Sequence, residues 1–222
     1  EALRAAGELA LALEEAGEAP EEVGRLLKSV LTGLERQLGE DHLEALRAAN
    51  NVAVFLDNNG ESEEALKLYR RASEGRRRQL GKDHPHTLDS TYNLALFWQN
   101  SGELAEAESL FREVLAGCTK TFGTQHHSSL DCMERLVEVL EQRCAGEVHG
   151  NNGWPEERVR LCCGLLEGRE RSLSPGHPEA LRACVLLLEA LTAEQGSGSE
   201  AVERAHRDAI RRHEQALGLD DP

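Results

Sequence analysis

Apolar residues in this chain recur at spacings of three and four, the pattern of helices that bury one face. The clearest run begins after Thr87, and its apolar positions are Leu88, Tyr92, Leu94, Ala95 and Trp98. Gly102 interrupts the run, and the spacing then returns at Ala105, Ala107, Leu110, Phe111 and Val114. Before Thr87, Gly81 suits a left-handed C-cap, and Asp83 or His84 suits the N-cap of the next helix. The pattern predicts helix, tight turn, helix, short turn.

This pattern is repeated along the chain. Its copies at Leu38, Leu80 and Phe122 begin 42 residues apart, and a weaker copy begins 51 residues later, at Leu173. A fixed period of this size indicates stacked supersecondary units. We therefore expect one domain, 1–222, made of about five units, at approximately 1–43, 44–85, 86–127, 128–178 and 179–222.

The late fourth copy requires about nine extra residues. They fall in the stretch 143–157, whose Gly and Asn residues predict an exposed loop. Two interpretations of Trp154 are open. Its ring could pack back across the start of the next helix as a hydrophobic staple, which we favour, or it could anchor a partner protein.

The amino-acid composition narrows both the fold class and the kind of partner. Aromatic residues are only 4% of the 222 residues, which favours helices over sheets. No apolar run reaches the roughly 18 residues of a membrane helix, and no secretory leader is recognised, so we expect no membrane insertion. Because the chain starts at Glu1 without Met, we expect a processed product or a fragment. The net charge of −15 argues against nucleic acid and suits a partner with basic character.

At residues 80 to 111 the chain reads "LGKDHPHTLDSTYNLALFWQNSGELAEAESLF". This sequence resembles the 42-residue tetratricopeptide repeats (TPR) of the kinesin light chain type. Arg135 and Leu186 stand where Asn93 stands, and Glu8 stands there in the first unit, so the resemblance is weaker in these units. It implies an all-α, right-handed superhelical solenoid of TPR-like helix-turn-helix units. The first helix of each unit would line a concave groove that holds an extended peptide or a partner's helix.

The resemblance also implies which residues face the groove. In the unit 44–85 they are Arg47, Asn50, Asn51, Val54, Asp57 and Asn58. In the unit 86–127 they are Asp89, Tyr92, Asn93, Leu96, Gln99 and Asn100, and in the unit 128–178 they are Asp131, Glu134, Arg135, Glu138, Glu141 and Gln142. Asn51 and Asn93 are suited to hold a peptide backbone because an amide both donates and accepts hydrogen bonds. The carboxylates of the last set predict Lys or Arg in that part of the ligand. The alternative for each residue is a solvated polar helix face.

The repeat also accounts for the cysteines and histidines that could otherwise suggest a metal or catalytic site. The six cysteines show no metal-site or redox spacing, so we expect free thiols in a reducing intracellular compartment, the cytoplasm or an organelle. His42, His84, His126 and His177 recur with the turn, and we expect them to act as helix caps, since equivalent positions on stacked units lie roughly 10 Å apart, too far to share a metal ion. No phosphate loop, nucleophile elbow or metalloprotease motif is present. We expect no catalysis, no metal or other cofactor and no small-molecule substrate.

Two functions remain open at this stage. The first is a non-catalytic protein-protein interaction module, an adaptor or scaffold that binds a peptide or partner segment in its groove. The second is a constitutive subunit or assembly factor of a larger complex, docked through its outer surface or its end units.

Overall fold

The computed structural model describes residues 20–146, 154–173, 177–195, 199–200, 202–205, 207–208 and 211. All regular structure in these ranges is helical, as predicted. The helices are α1 (Pro20–Leu38), α2 (Leu43–Asn58), α3 (Ser62–Leu80), α4 (Pro85–Asn100), α5 (Leu104–Phe122), α6 (His127–Gly146), α7 (Trp154–Ser172) and α8 (Pro178–Gln195). Short helical stretches lie between residues 200 and 211. None of the helices described is both long and apolar enough to cross a membrane.

The chain divides into two compact units, Glu1–Glu103 and Leu104–Pro222. The division falls between the two helices of the predicted repeat 86–127. In the first unit, which we call unit A, α1 packs on α2, α2 on α3 and α3 on α4. In the second, unit B, α5 packs on α6, α6 on α7 and α7 on α8. Within each unit, helices that are consecutive in sequence are therefore neighbours in space.

Local sequence explains where the helices begin. His42, His84, His126 and His177 each accept a hydrogen bond at Nδ1 from the backbone N–H two residues later, at 3.2 to 3.3 Å. This bond satisfies one of the N–H groups that a helix start leaves unpaired. The predicted capping role of the four histidines is confirmed, and at α4 the cap is His84 rather than Asp83.

The predicted glycine stops are confirmed with one difference. Gly81 follows α3 with φ 88° and ψ 163°. Its φ is positive, as expected of a left-handed cap, but its ψ is extended, outside the left-handed helical region. This backbone conformation is open almost only to glycine, because a side chain would clash.

The predicted loop 143–157 is shorter than expected. Residues 143–146 belong to α6 and residues 154–157 belong to α7, so the expectation of a loop was wrong at both ends. α6 is 20 residues long, whereas α2 and α4, the equivalent helices of the two preceding repeats, have 16 each. Four of the extra residues therefore lengthen a helix, because Arg143, Cys144 and Ala145 allow the helix to continue as far as Gly146. Residues 147–153, like residues 1–19, lie outside the described part of the chain.

Each unit has its own apolar core. In unit A, Leu46 and Leu56 of α2 are fully buried, and the rings of Tyr69 and Phe97 lie 5.8 Å apart. In unit B the fully buried side chains include Phe111, Leu130, Leu136, Leu140 and Leu165. The cores hold the first helices α2, α4 and α6 in place, and these helices carry the predicted binding residues.

Candidate protein-binding face

Helix α2 is buried on every side but one. Nine of its 16 residues are buried, including eight apolar residues between Ala45 and Leu56. The accessible positions beyond its first turn are Arg47, Asn51, Val54, Asp57 and Asn58. They are spaced four, three, three and one residues apart, so they form one stripe along the helix. These are five of the six positions predicted to face a ligand, and the sixth, Asn50, is buried beside them.

Helix α4 has the same organisation. Thr87, Leu88, Ser90, Thr91, Leu94, Ala95 and Phe97 are buried. All six positions predicted on this helix are partly or fully accessible, namely Asp89, Tyr92, Asn93, Leu96, Gln99 and Asn100. We call the two stripes on α2 and α4 together the polar face of unit A.

A side-chain hydrogen bond joins the two helices at this face. Asn93 Nδ2 donates to Asn50 Oδ1 over 3.2 Å. Asn93 was predicted to bind a ligand together with Asn51, but its bond to buried Asn50 gives it a role in holding α2 against α4 as well. The Asn51 amide is half-buried and makes no hydrogen bond within the described residues.

The amino-terminal end of the polar face contains a residue that the sequence did not indicate. Arg76 of α3 is only 6% exposed, and its guanidinium donates to the backbone oxygen of His86 over 2.8 Å. Burial lowers the pKa of Arg76, and nearby Asp89 partly offsets this effect. Arg47 is closer to the surface and pairs with Glu44 at 3.0 Å. Hydrophobic periodicity could not have identified Arg76, because it is the first of three successive arginines, residues 76–78, near the end of α3.

At the carboxyl-terminal end of the face, polar groups lack partners. Asp57 is half-buried, and burial raises the pKa of its carboxyl group. The pKa of Tyr69 is also raised, first by burial and then by the negative charge of Asp57. Gln99 Oε1 is shielded from solvent but has no hydrogen-bond partner. The amides of Asn58 and Asn100 are exposed and make no bonds among the described residues.

Unit B places its predicted carboxylates differently. Asp131 pairs with Arg169 at 2.5 Å, and Glu134 and Glu138 each pair with Arg182 at 2.7 Å. The predicted Lys or Arg of a ligand would therefore compete with the chain's own arginines at these three positions. Glu141 is half-buried without such a pair among the described residues, and it stays a predicted contact.

The remaining candidates contribute less. Trp154 begins α7, but its side chain lies outside the described part of the structure. All six cysteines are free, and burial raises the pKa of the Cys132 and Cys162 thiols. A thiol with a raised pKa is a poor nucleophile and metal ligand at neutral pH. Within the described ranges, no group of three His, Cys, Asp or Glu residues could hold a metal ion.

Comparisons with known proteins agree with this fold. The tetratricopeptide repeat family matches residues 45–86 and 87–128, within one residue of the two units predicted from the sequence. No curated protein sequence matches the chain significantly. Among solved structures, nearly identical TPR-like repeats ascribed to a Podosopora anserina kinesin light chain share 24% identity and a TM-score of 0.78, covering 96% of this chain and 95% of that one. BtubC (BKLC) from P. vanneervenii shares 15% identity and a TM-score of 0.75, covering 96% of this chain and 80% of that one.

The fold and the repeat matches define a class, the all-α helical-repeat solenoids. More specifically, residues 45–128 match the tetratricopeptide repeat family, and the chain has the fold of the kinesin light chain-like structures that it matches. This confirms the predicted resemblance and fold class. Tetratricopeptide repeats are in general protein-interaction modules.

Proposed function

We propose that this chain is a non-catalytic interaction module that binds an extended segment of a partner protein on the polar face of unit A. One observation carries the proposal. The amides of Asn51, Asn58 and Asn100 are accessible and have no partner among the described residues. An amide that donates and accepts can bond to a peptide backbone whatever the peptide's side chains.

The surroundings of these amides support the same function. Val54 and Leu96 lie partly accessible between the polar positions, so a bound segment would also cover apolar surface. Interfaces of this kind combine apolar contact with hydrogen bonds at intervals. The net charge of −15 favours a protein partner over nucleic acid. The six free cysteines favour a reducing intracellular setting.

The test is affinity capture from the native source, with captured proteins identified by mass spectrometry. The test variant is Asn51→Ala/Asn58→Ala/Asn100→Ala, which removes only amides that have no partner within the described ranges. Asn93 is left intact because its loss would leave buried Asn50 unpaired, at a cost of about 1–3 kcal/mol in stability.

The matched control is Lys67→Ala/Glu74→Ala, two exposed positions of α3 away from the polar face. We expect stoichiometric partners of the wild type to be lost from the triple variant and kept by the control. Partners kept by both variants would contradict binding at this face. They would instead favour a constitutive subunit that docks through its outer surface.

A further inference from the structure

We propose that the carboxyl-terminal end of the polar face binds a Lys or Arg side chain of the partner segment, with Asp57 as its counter-ion. This inference rests on the proposed function and adds the chemistry of the ligand at one position. It places the selective carboxylate in unit A, whereas the sequence predicted basic recognition at the carboxylates of unit B.

The first argument is the charge at the helix ends. The carboxyl-terminal end of a helix carries partial negative charge, which a cation in the last turn stabilises. α1 and α3 have Arg36 and Arg77 with Arg78 there, but α2 and α4 have no basic residue in their last turns. α2 instead places Asp57 next to its end, where an anion is unfavourable. Two helix ends on one face are thus left without the cation that their neighbours have.

The second argument is that Asp57 has no counter-ion in the described chain. No Lys, Arg or His among the described residues lies within 4.0 Å of its carboxylate. Glu35, another partly buried carboxylate of unit A, pairs with Arg71 at 2.6 Å. A partly desolvated charge without a partner is costly, and a ligand cation would remove that cost. Burial raises the pKa of the Asp57 carboxyl, which agrees with an uncompensated charge.

The third argument is the set of groups around this position. Asn50 and Asn93 are bonded across α2 and α4, and seven residues further along each helix stand Asp57 and Asn100. Seven residues are about two turns, so the second pair lies above the first on two helices that run in the same direction. Gln99 adds a shielded Oε1 with no donor. The Asp57 carboxylate and the side-chain carbonyl oxygens of Gln99 and Asn100 are hydrogen-bond acceptors. The occupant that fits them is a cation with several N–H donors.

The experiment uses the full chain and a displayed library of random 12-residue peptides. We expect wild-type protein to enrich peptides with Lys or Arg at one fixed position. Replacing that residue by Ala should weaken binding to wild type by on the order of tenfold or more, the scale of a charge-assisted hydrogen bond. Against Asp57→Asn, the same replacement should change the dissociation constant by less than about twofold, because the charge that it meets is gone. The control variant is Glu74→Gln, which neutralises an exposed carboxylate of α3 away from the polar face, and it should keep the wild-type response.

A second measurement needs no ligand. Asp57→Asn should raise the urea midpoint of the free protein, since it removes an unfavourable charge and keeps the shape of the side chain. A lower midpoint would overturn the inference, because Asp57 would then already be stabilised within the chain.

The peptide results separate the two proposals. Peptides that depend on Asn51, Asn58 and Asn100 but carry no fixed basic residue would overturn this inference alone. A basic residue that responds equally to wild type and Asp57→Asn would do the same. Enrichment of no peptide, or of peptides indifferent to the three asparagines, would overturn the proposed function and this inference together.

Discussion

Arg169 of α7 ties three helices of unit B together, and its replacement by Met gives a sharp test of the packing. Its side chain is 8% exposed, and it pairs with Asp131 at 2.5 Å, Glu134 at 3.4 Å and Glu179 at 2.8 Å. Those carboxylates come from α6 and α8. Methionine preserves most of the buried stem but removes the charge and every donor.

The cost follows from what each carboxylate retains. Breaking a buried ion pair by removing one partner costs about 3–5 kcal/mol when the other charge stays buried. Asp131 and Glu179 are 47% and 49% exposed, so water takes over part of their interactions. Glu134 is only 13% exposed, but it keeps its contact with Arg182. We therefore expect a loss of about 2–3 kcal/mol, or roughly 5–10 °C in Tm for a chain of this length.

Urea and thermal unfolding followed by circular dichroism measure this loss. The matched control is Arg182→Met. It removes an arginine of α8 that is 57% exposed and pairs with Glu134 and Glu138 of α6. Because exposed pairs are screened by water, the control should cost less than about 1 kcal/mol. Equal losses for the two variants, or a loss below about 1 kcal/mol for Arg169→Met, would refute the reasoning from burial.

Three further predictions concern single sites. Gly75→Ala should destabilise unit A by about 1–2 kcal/mol in urea unfolding, because an added Cβ would lie 2.7 Å from both methyl carbons of fully buried Leu46; an unchanged midpoint would mean that Leu46 can move aside. His84→Ala should cost about 1 kcal/mol through the lost cap while His84→Asn restores most of it, and equal losses from both would argue against capping. The hydrogen bond from Arg112 holds the pKa of Glu157 below its ordinary value of 4.5, so Glu157 stabilises the fold at neutral pH. That contribution should be lost as pH falls below about 4.5, and the stability difference between wild type and Glu157→Gln should shrink there; a difference independent of pH would contradict the pairing.

The helices and their ends could be predicted because the information is local. A histidine that accepts from the N–H two residues later acts within a single turn, and so does a glycine at positive φ. The repeated sequence pattern therefore encodes both signals. The accessible stripes also followed from the sequence. Once α2 and α4 are the amphipathic first helices of two successive repeats, residues spaced like Asn51 and Asn58 must share a side.

The partners of charged side chains could not be predicted in the same way. Glu134 and Glu138 were predicted to bind a Lys or Arg of a ligand. They instead pair with Arg182, which lies more than 40 residues away in sequence. Arg76 was not among the predicted contacts, and it is buried at the amino-terminal end of the polar face. Whether a charge is paired or free depends on the packing of separate helices, which hydrophobic periodicity does not encode.

The one accessible stripe of α2 has a consequence for how this chain can vary. A substitution at most positions of Leu43–Asn58 disturbs the core, while one at Asn51, Val54 or Asn58 alters only the surface that a partner would meet. A complete substitution scan of α2, scored for abundance in cells, should show tolerance recurring every three to four residues. Changes of partner preference could then arise at the tolerant positions without loss of folding, so that recognition and stability are free to evolve separately along a single helix.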